Sequence, residues 1–390
     1  MKSIPYARQS IDQADIDAVA DVLRSDWITQ GPAIERFETE FAAYCGAPRA
    51  VAVHNATAAL HLACIALGLK AGQWLWTSAN TFVASANCGR YCGAEVDFVD
   101  IDPHTGNMSA AALAAKLAQA SAQGRLPHIV VPVHFAGRPC DMSPIAALAK
   151  QYGFRVIEDA SHAAGASDAG GRIGNCAHCD VAVFSFHPVK IITSGEGGMA
   201  VTANAEIAER LRLLRTHGVT RDPGRMSAKG EGPWYYEQLE LGYNYRMTDI
   251  QAALGASQLR RIDAFIARRR FLAGRYDQAL RDLPLEMPPA DGEVRSAWHL
   301  YVVQLDAGVR RQVVEGLAAD GIRVNVHYIP VHLHPYYRAR GFARGDFPVA
   351  ERFYDRAVSL PLFPGLTDGE QDRVCEALRK RLLEAHRGGH

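Results

Sequence analysis

Over the first two-thirds of the chain, short apolar runs alternate with amphipathic stretches, and this alternation limits the fold more than any single motif does. Residues 50–53, 74–77, 96–99, 128–133 and 155–157 are predicted strands, followed by 181–186 and 199–202. Helices are predicted over 57–69 and 204–217; the second carries Ile207, Leu211 and Leu214 on one face, with Asn204 as N-cap and Gly218 as stop. Strand–helix alternation over this length implies a largely parallel sheet covered on both faces. From Asp249 the pattern predicts one long charged helix, with Leu259, Ile262 and Ile266 as its apolar stripe and Arg268, Arg269 and Arg270 on a solvated face. Beyond it, strands are predicted over 298–305 and 323–329 and a helix over 314–319. The 390 residues are therefore expected to form an α/β protein, with a large domain over 1–254 and a smaller C-terminal α+β domain over 255–390.

Charge excludes several partners. Lysine plus arginine and aspartate plus glutamate are 42 each, so no global field draws in nucleic acid or an anionic membrane, and an anionic substrate needs a local site. The start, residues 1–10, lacks the apolar core of a signal peptide, and no stretch approaches the ~18 apolar residues of a membrane span. Eight scattered cysteines suit a reducing, cytoplasmic setting. Cys176 and Cys179 with Cys88 and Cys92 are a conceivable zinc set, but both pairs lie in apolar sequence without further ligands, so the reading is buried thiols and no metal.

The densest stretch is Phe184-Ser185-Phe186-His187-Pro188-Val189-Lys190, which runs on to a Gly-Glu-Gly-Gly turn. A buried strand ends there, Pro188 bars its continuation, and Lys190 falls between core strand and glycine turn. A surface lysine in a hairpin is the plain alternative. A desolvated lysine, however, has a partly neutral amine suited to a Schiff base with pyridoxal phosphate. That cofactor also needs a carboxylate at its ring nitrogen, donors for its phosphate and a flat cover for its ring. Asp159 ends a predicted parallel strand, where side chains enter a ligand crevice, and strand alternation sends its neighbour Glu158 to the other face. His162 is a candidate to orient the cofactor's phenolic oxygen or Asp159, or to serve the turn itself. Ala56 and Thr57, after Asn55, open a predicted helix and offer amides and a hydroxyl to a phosphate; Thr57 as a plain N-cap is the alternative. Ser185 adds a second hydroxyl, and Phe82 is the candidate ring cover.

These motifs, taken in order with Thr29-Gln30-Gly31-Pro32, Asn80-Thr81-Phe82-Val83-Ala84, Glu158-Asp159-Ala160-Ser161-His162-Ala163 and Gly242-Tyr243-Asn244-Tyr245-Arg246-Met247, resemble the DegT/DnrJ/EryC1/StrS group of nucleotide-sugar aminotransferases. The resemblance implies pyridoxal phosphate fold type I, the aspartate-aminotransferase-like architecture. It implies Lys190 as Schiff-base lysine, Asp159 as the ring-nitrogen partner, Ala56, Thr57 and Ser185 at the phosphate, and Phe82 on the ring. It also implies that Asn244 reaches the phosphate of a neighbouring subunit, hence a homodimer with shared sites. His162 departs from the glutamine of many relatives.

Within the family, the wording around Lys190, Tyr6, Asp26-Trp27-Ile28-Thr29 and His327-Tyr328-Ile329-Pro330 look most like the pseudaminic-acid branch. That likeness implies transfer of the amino group of L-glutamate to C4 of UDP-2-acetamido-2,6-dideoxy-β-L-arabino-hex-4-ulose, with those residues contacting the sugar nucleotide. Packing is the plain alternative for His327 and Tyr328. A perosamine-type or 4-amino-arabinose-type 4-keto sugar is the nearest rival substrate. A dehydratase of this scaffold would carry histidine where Lys190 stands, and a non-catalytic regulator would not need the Lys190–Asp159 pair. Arg246 and Arg323 stand as unassigned cations for a carboxylate or pyrophosphate.

Overall fold

The computed structural model describes residues 3–227 and 232–387. Met1 and Lys2, part of the start read against a signal peptide, lie outside the described residues. Among those described, no helix is long and apolar enough to cross a membrane.

Seven strands form the central sheet: β1 (Arg49–Val53), β2 (Trp74–Ser78), β3 (Glu95–Val99), β4 (Ile129–Val131), β5 (Arg155–Asp159), β6 (Val181–Ser185) and β7 (Gly198–Thr202). Their spatial order is β1-β7-β6-β5-β4-β2-β3. Pairing is parallel from β3 through β6, and β7 runs antiparallel to both β6 and β1. The near-continuous burial of these strands follows from helices on both faces. One face carries α1 (Ala56–Ala66) and α2 (Ala84–Tyr91); α3 (Ala205–Leu214) packs beside them. On α3 the N-cap and the buried face are as read: Asn204 caps it, accepting from the amides of Glu206 and Ile207, but the helix ends at Leu214, short of Gly218.

At α1 the capping expectation changes. Asn55, not Thr57, is the N-cap; its Oδ1 accepts from Ala58 N at 2.8 Å, which leaves the Thr57 hydroxyl uncommitted. Gly198 opens β7 directly against this point. A Cβ there would lie 2.4 Å from Asn55 C and 2.6 Å from Ala56 N, so only glycine lets the strand approach the helix start.

The long charged helix is two helices, α4 (Asp249–Leu259) and α5 (Ile262–Leu280). The break lies where the buried carboxylate of Asp15 gathers Ser257 Oγ, Gln258 Nε2 and the Arg261 guanidinium. The solvated-face reading fails for Arg269, which is 1% exposed. Its Nη1 donates to the carbonyl oxygens of Trp298 (3.3 Å), His299 (3.2 Å) and Leu362 (2.8 Å), replacing water as partner. Arg268 and Arg270 do reach toward the surface, pairing with exposed Asp368 and half-buried Asp291.

Beyond α5, regular pairing is shorter than the apolar runs suggested: β8 (Tyr301–Gln304) pairs antiparallel with β9 (Ala357–Leu360). The helix read at 314–319 begins earlier, as α6 (Ala307–Ala319). Residues 323–329 are not a strand. Arg323 N bonds Ile4 O, Asn325 bridges to Ser359 of β9, and the segment then turns, with a cis peptide between His327 and Tyr328. Buried clusters change over along α5: Ile262, Phe265 and Ile266 pack with the large sheet, whereas Leu272, Tyr276 and Leu280 pack with Tyr301, Val303, Val358 and Leu378. Residue 254 itself lies inside α4, whose Ala252, Ala253 and Ala256 share one cluster.

Candidate active site

Asp159 closes β5 at its carboxyl end, where an open α/β sheet presents side chains to a crevice. Its carboxylate is buried; Oδ2 accepts from Ser85 Oγ at 2.6 Å and Oδ1 from Ser161 N at 3.1 Å. Glu158 turns to the opposite face, as alternation requires, and accepts from His134 Nε2 at 3.3 Å. His134 has its proton on Nε2, because its Nδ1 accepts from Cys140 N at 3.0 Å.

Lys190 sits in the turn after β6, with its amide donating to His187 O at 2.9 Å. The loop beyond it is folded back on buried Phe186, whose carbonyl accepts from Thr193 Oγ1 and Ser194 N at 3.0 Å each. The lysine is partly accessible from a cavity of about 620 Å³, yet burial lowers its amine to about 8, with the nearby Asp159 carboxylate acting in the opposite direction. A lysine placed this way is substantially neutral at mildly alkaline pH, unlike a surface lysine.

The start of α1 forms another wall of the same cavity through Asn55, Ala56 and Thr57. As first residues of a helix, Ala56 and Thr57 have amides with no intrahelical acceptor. Phe82, 57% exposed as the chain stands alone, lines the opening. From the C-terminal part come His299, Asn325, His327 and Tyr328, and from the N-terminal segment Tyr6. Tyr328 OH meets His162 Nε2 at 3.0 Å, and the buried His162 Nδ1 has no partner among the described residues. His327 bonds Ser359 Oγ at 2.8 Å and Asn325 Nδ2 at 3.4 Å. Burial, reinforced by the Lys190 charge, holds His162 and His299 well below the ordinary imidazole range and His327 at about 3, so these rings are neutral.

The cavity thus unites Tyr6, Ala56, Thr57, Phe82, Asp159, His162, Lys190, His327 and Tyr328 from the sequence reading. Ser185 does not line it; it pairs across to Gly198, one strand removed from the helix start. Asp26, Trp27, Ile28 and Thr29 are exposed away from it, as is Asn244, while Ile329 points outward and Pro330 packs inside. Neither Arg246 nor Arg323 reaches it; Arg246 lines a separate cleft beside Glu38 and Arg215. Sequence reasoning missed Ser85, which fixes Asp159, and His299 and Asn325. Ser85 directly follows the Asn80–Ala84 motif, a usable signal; His299 lies inside an apparent strand and gave none.

Pyridoxal phosphate fits these residues on the structure's own terms. A desolvated amine and a buried carboxylate share one cavity, unpaired helix-start amides lie in its wall, and Gly198 keeps that helix start close to the sheet. The orphaned Nδ1 of His162 is a further polar group without an internal partner.

Comparison with known proteins agrees. The model of the DegT/DnrJ/EryC1/StrS aminotransferase family matches residues 9–379. Spore coat polysaccharide biosynthesis protein SpsC of Bacillus subtilis is 41% identical over 384 residues, 96% of each chain. Helicobacter pylori PseC, an aminotransferase involved in the biosynthesis of pseudoaminic acid, superposes with a TM-score of 0.90 at 27% identity, covering 98% of this chain and 100% of its own. The PLP-form of Streptococcus pneumoniae Spr1654 gives 0.88 at 29%, covering 98% and 99%. The chain belongs to the DegT/DnrJ/EryC1/StrS aminotransferase family and is a pyridoxal-phosphate-dependent sugar aminotransferase of fold type I, acting between an amino donor and a nucleotide-linked keto sugar.

Proposed function

We propose that the chain transfers the amino group of L-glutamate to C4 of UDP-2-acetamido-2,6-dideoxy-β-L-arabino-hex-4-ulose. The observation that carries the reaction type is the pairing of Lys190 with Asp159 in one buried cavity walled by the start of α1. The choice of sugar leans on the likeness in fold to PseC along the whole chain.

Bound pyridoxal phosphate supplies an electron sink for the carbon that bears the amine. Lys190 would hold the cofactor covalently, and its amine, lowered to about 8, can both take a proton from the donor's Cα and return it near neutral pH. Asp159, fixed by Ser85 Oγ and Ser161 N, holds the proton at the ring nitrogen. The amides of Ala56 and Thr57, with the free Thr57 hydroxyl, would take the phosphate. Phe82 covers the ring. His162 and Tyr328 form a neutral hydrogen-bonded pair that orients polar atoms beside it. Tyr6 and His327 face the sugar.

Asn244, Trp27 and Ile28 are exposed outside the chain's own cavity, which supports a homodimer whose partner subunit completes each site. The greater identity to SpsC favours a second reading: the same amination on a different nucleotide-4-keto sugar, of perosamine or 4-amino-arabinose type. Substrate trials separate the two. Cofactor-loaded protein with L-glutamate is expected to turn the UDP-linked 4-keto-L-sugar into its 4-amino product with equimolar 2-oxoglutarate, read by product mass. Turnover of another 4-keto sugar in its place would select the second reading.

A further inference from the structure

Three buried histidines line the cavity, and two are committed. His162 has its Nε2 on Tyr328, and His327 has both nitrogens engaged by Ser359 and Asn325. His299 is 2% exposed, its ring centroid is 4.4 Å from that of His162, and neither of its ring nitrogens makes a hydrogen bond within the described residues. Its Nδ1 is fully buried. An orphaned N–H is rarer in protein interiors than an orphaned acceptor, so the proton belongs on Nε2, as a neutral donor.

The backbone that presents this ring is held from several sides. Trp298 adopts φ +50, a left-handed conformation uncommon for a bulky residue. Gly137 lies against it, where a Cβ would come 2.8 Å from His299 N. On the other side the Arg269 guanidinium binds the carbonyl oxygens of Trp298 and His299. Arg269 has no carboxylate partner among the described residues, and its buried Nε is unpaired. A buried cation without a counter-ion leaves uncompensated positive charge behind His299, with Lys190 in front.

Resting on the proposed use of an amino-acid donor, we propose that His299, backed by Arg269, is the seat of the donor's α-carboxylate. That carboxylate is one bond from the Cα whose proton Lys190 removes, so it must settle within a few ångströms of the lysine amine. No arginine lines the cavity among the described residues, and Arg246 and Arg323 lie elsewhere. A neutral N–H donor in the field of a remote guanidinium attracts a carboxylate without forming an ion pair too tight to release it. The nucleotide sugar has no α-carboxylate and does not use this contact.

The test splits the two half-reactions of the cofactor-loaded enzyme. In His299→Phe, the glutamate concentration giving half-maximal loss of cofactor absorbance is expected to rise about tenfold or more, the usual loss for one charge-assisted hydrogen bond. The half-saturating concentration of nucleotide sugar for the amino-loaded enzyme is expected to stay within about twofold. His299→Asn, which keeps an N–H donor, is expected to recover part of the glutamate affinity. Unchanged glutamate affinity in His299→Phe would overturn the proposal, and so would equal weakening toward both substrates in both variants, the mark of a purely structural residue. Wild-type protein that ignores glutamate but accepts another amino acid would remove the donor reading alone, and the same comparison with that amino acid then decides the carboxylate seat.

Discussion

Lys190→Ala is expected to abolish turnover, by about 10⁴-fold or more, because one change removes both the covalent anchor and the proton carrier. The variant should fold, since the Lys190 loop is tied down by Phe186, Thr193 and Ser194 through bonds that do not involve the lysine side chain. Cofactor is expected to associate weakly through the start of α1 but without the visible absorbance of the lysine-bound form. Single-turnover measurements with glutamate, followed by 2-oxoglutarate release, check this. Turnover within about tenfold of wild type would transfer the anchoring role to another residue.

Asp159→Asn is expected to keep the cofactor and lose about 10²- to 10³-fold in the glutamate half-reaction, the range for removing one preorganised electrostatic partner. An amide is nearly isosteric: its oxygen can keep Ser161 N, and the Ser85 hydroxyl can turn to accept from the amide N–H, so packing around α2 and β5 should hold. A second readout follows from the charge itself. The Asp159 carboxylate raises the Lys190 amine, against the larger effect of burial. Its loss should move the pH of half-protonation in the cofactor-free protein further below about 8, so the amine becomes reactive at lower pH than in wild type. An upward move would contradict the proximity of the two groups.

The parts of this site legible in sequence are those where one element end dictates the chemistry. Asp159 at a strand terminus, Lys190 between a core strand and a glycine turn, and the polar opening of a helix at Asn55 each follow from local pattern, and all three meet in one cavity. What escaped depends on tertiary contacts. Arg269 sits in an arginine run that looks solvated, and it is buried because three carbonyl oxygens on two distant segments converge on it. The break between α4 and α5 needs Asp15, more than 240 residues away in sequence, and no periodicity announces it. Residues 323–329 have strand-like composition, but their hydrogen bonds go to Ile4 and Ser359, which bends the segment into the cavity instead of extending it. The exposed set of Asp26 to Thr29 and Asn244 was grouped with the site by family resemblance alone, and within one chain it remains apart.

The most direct measurement is borohydride reduction of the cofactor-loaded protein followed by peptide mass mapping. The label is expected on Lys190 alone, and prior incubation with L-glutamate should prevent it by discharging the lysine. A label on another lysine, or one that glutamate leaves untouched, would contradict the assignment of Lys190 as the anchor of an aminotransferase site.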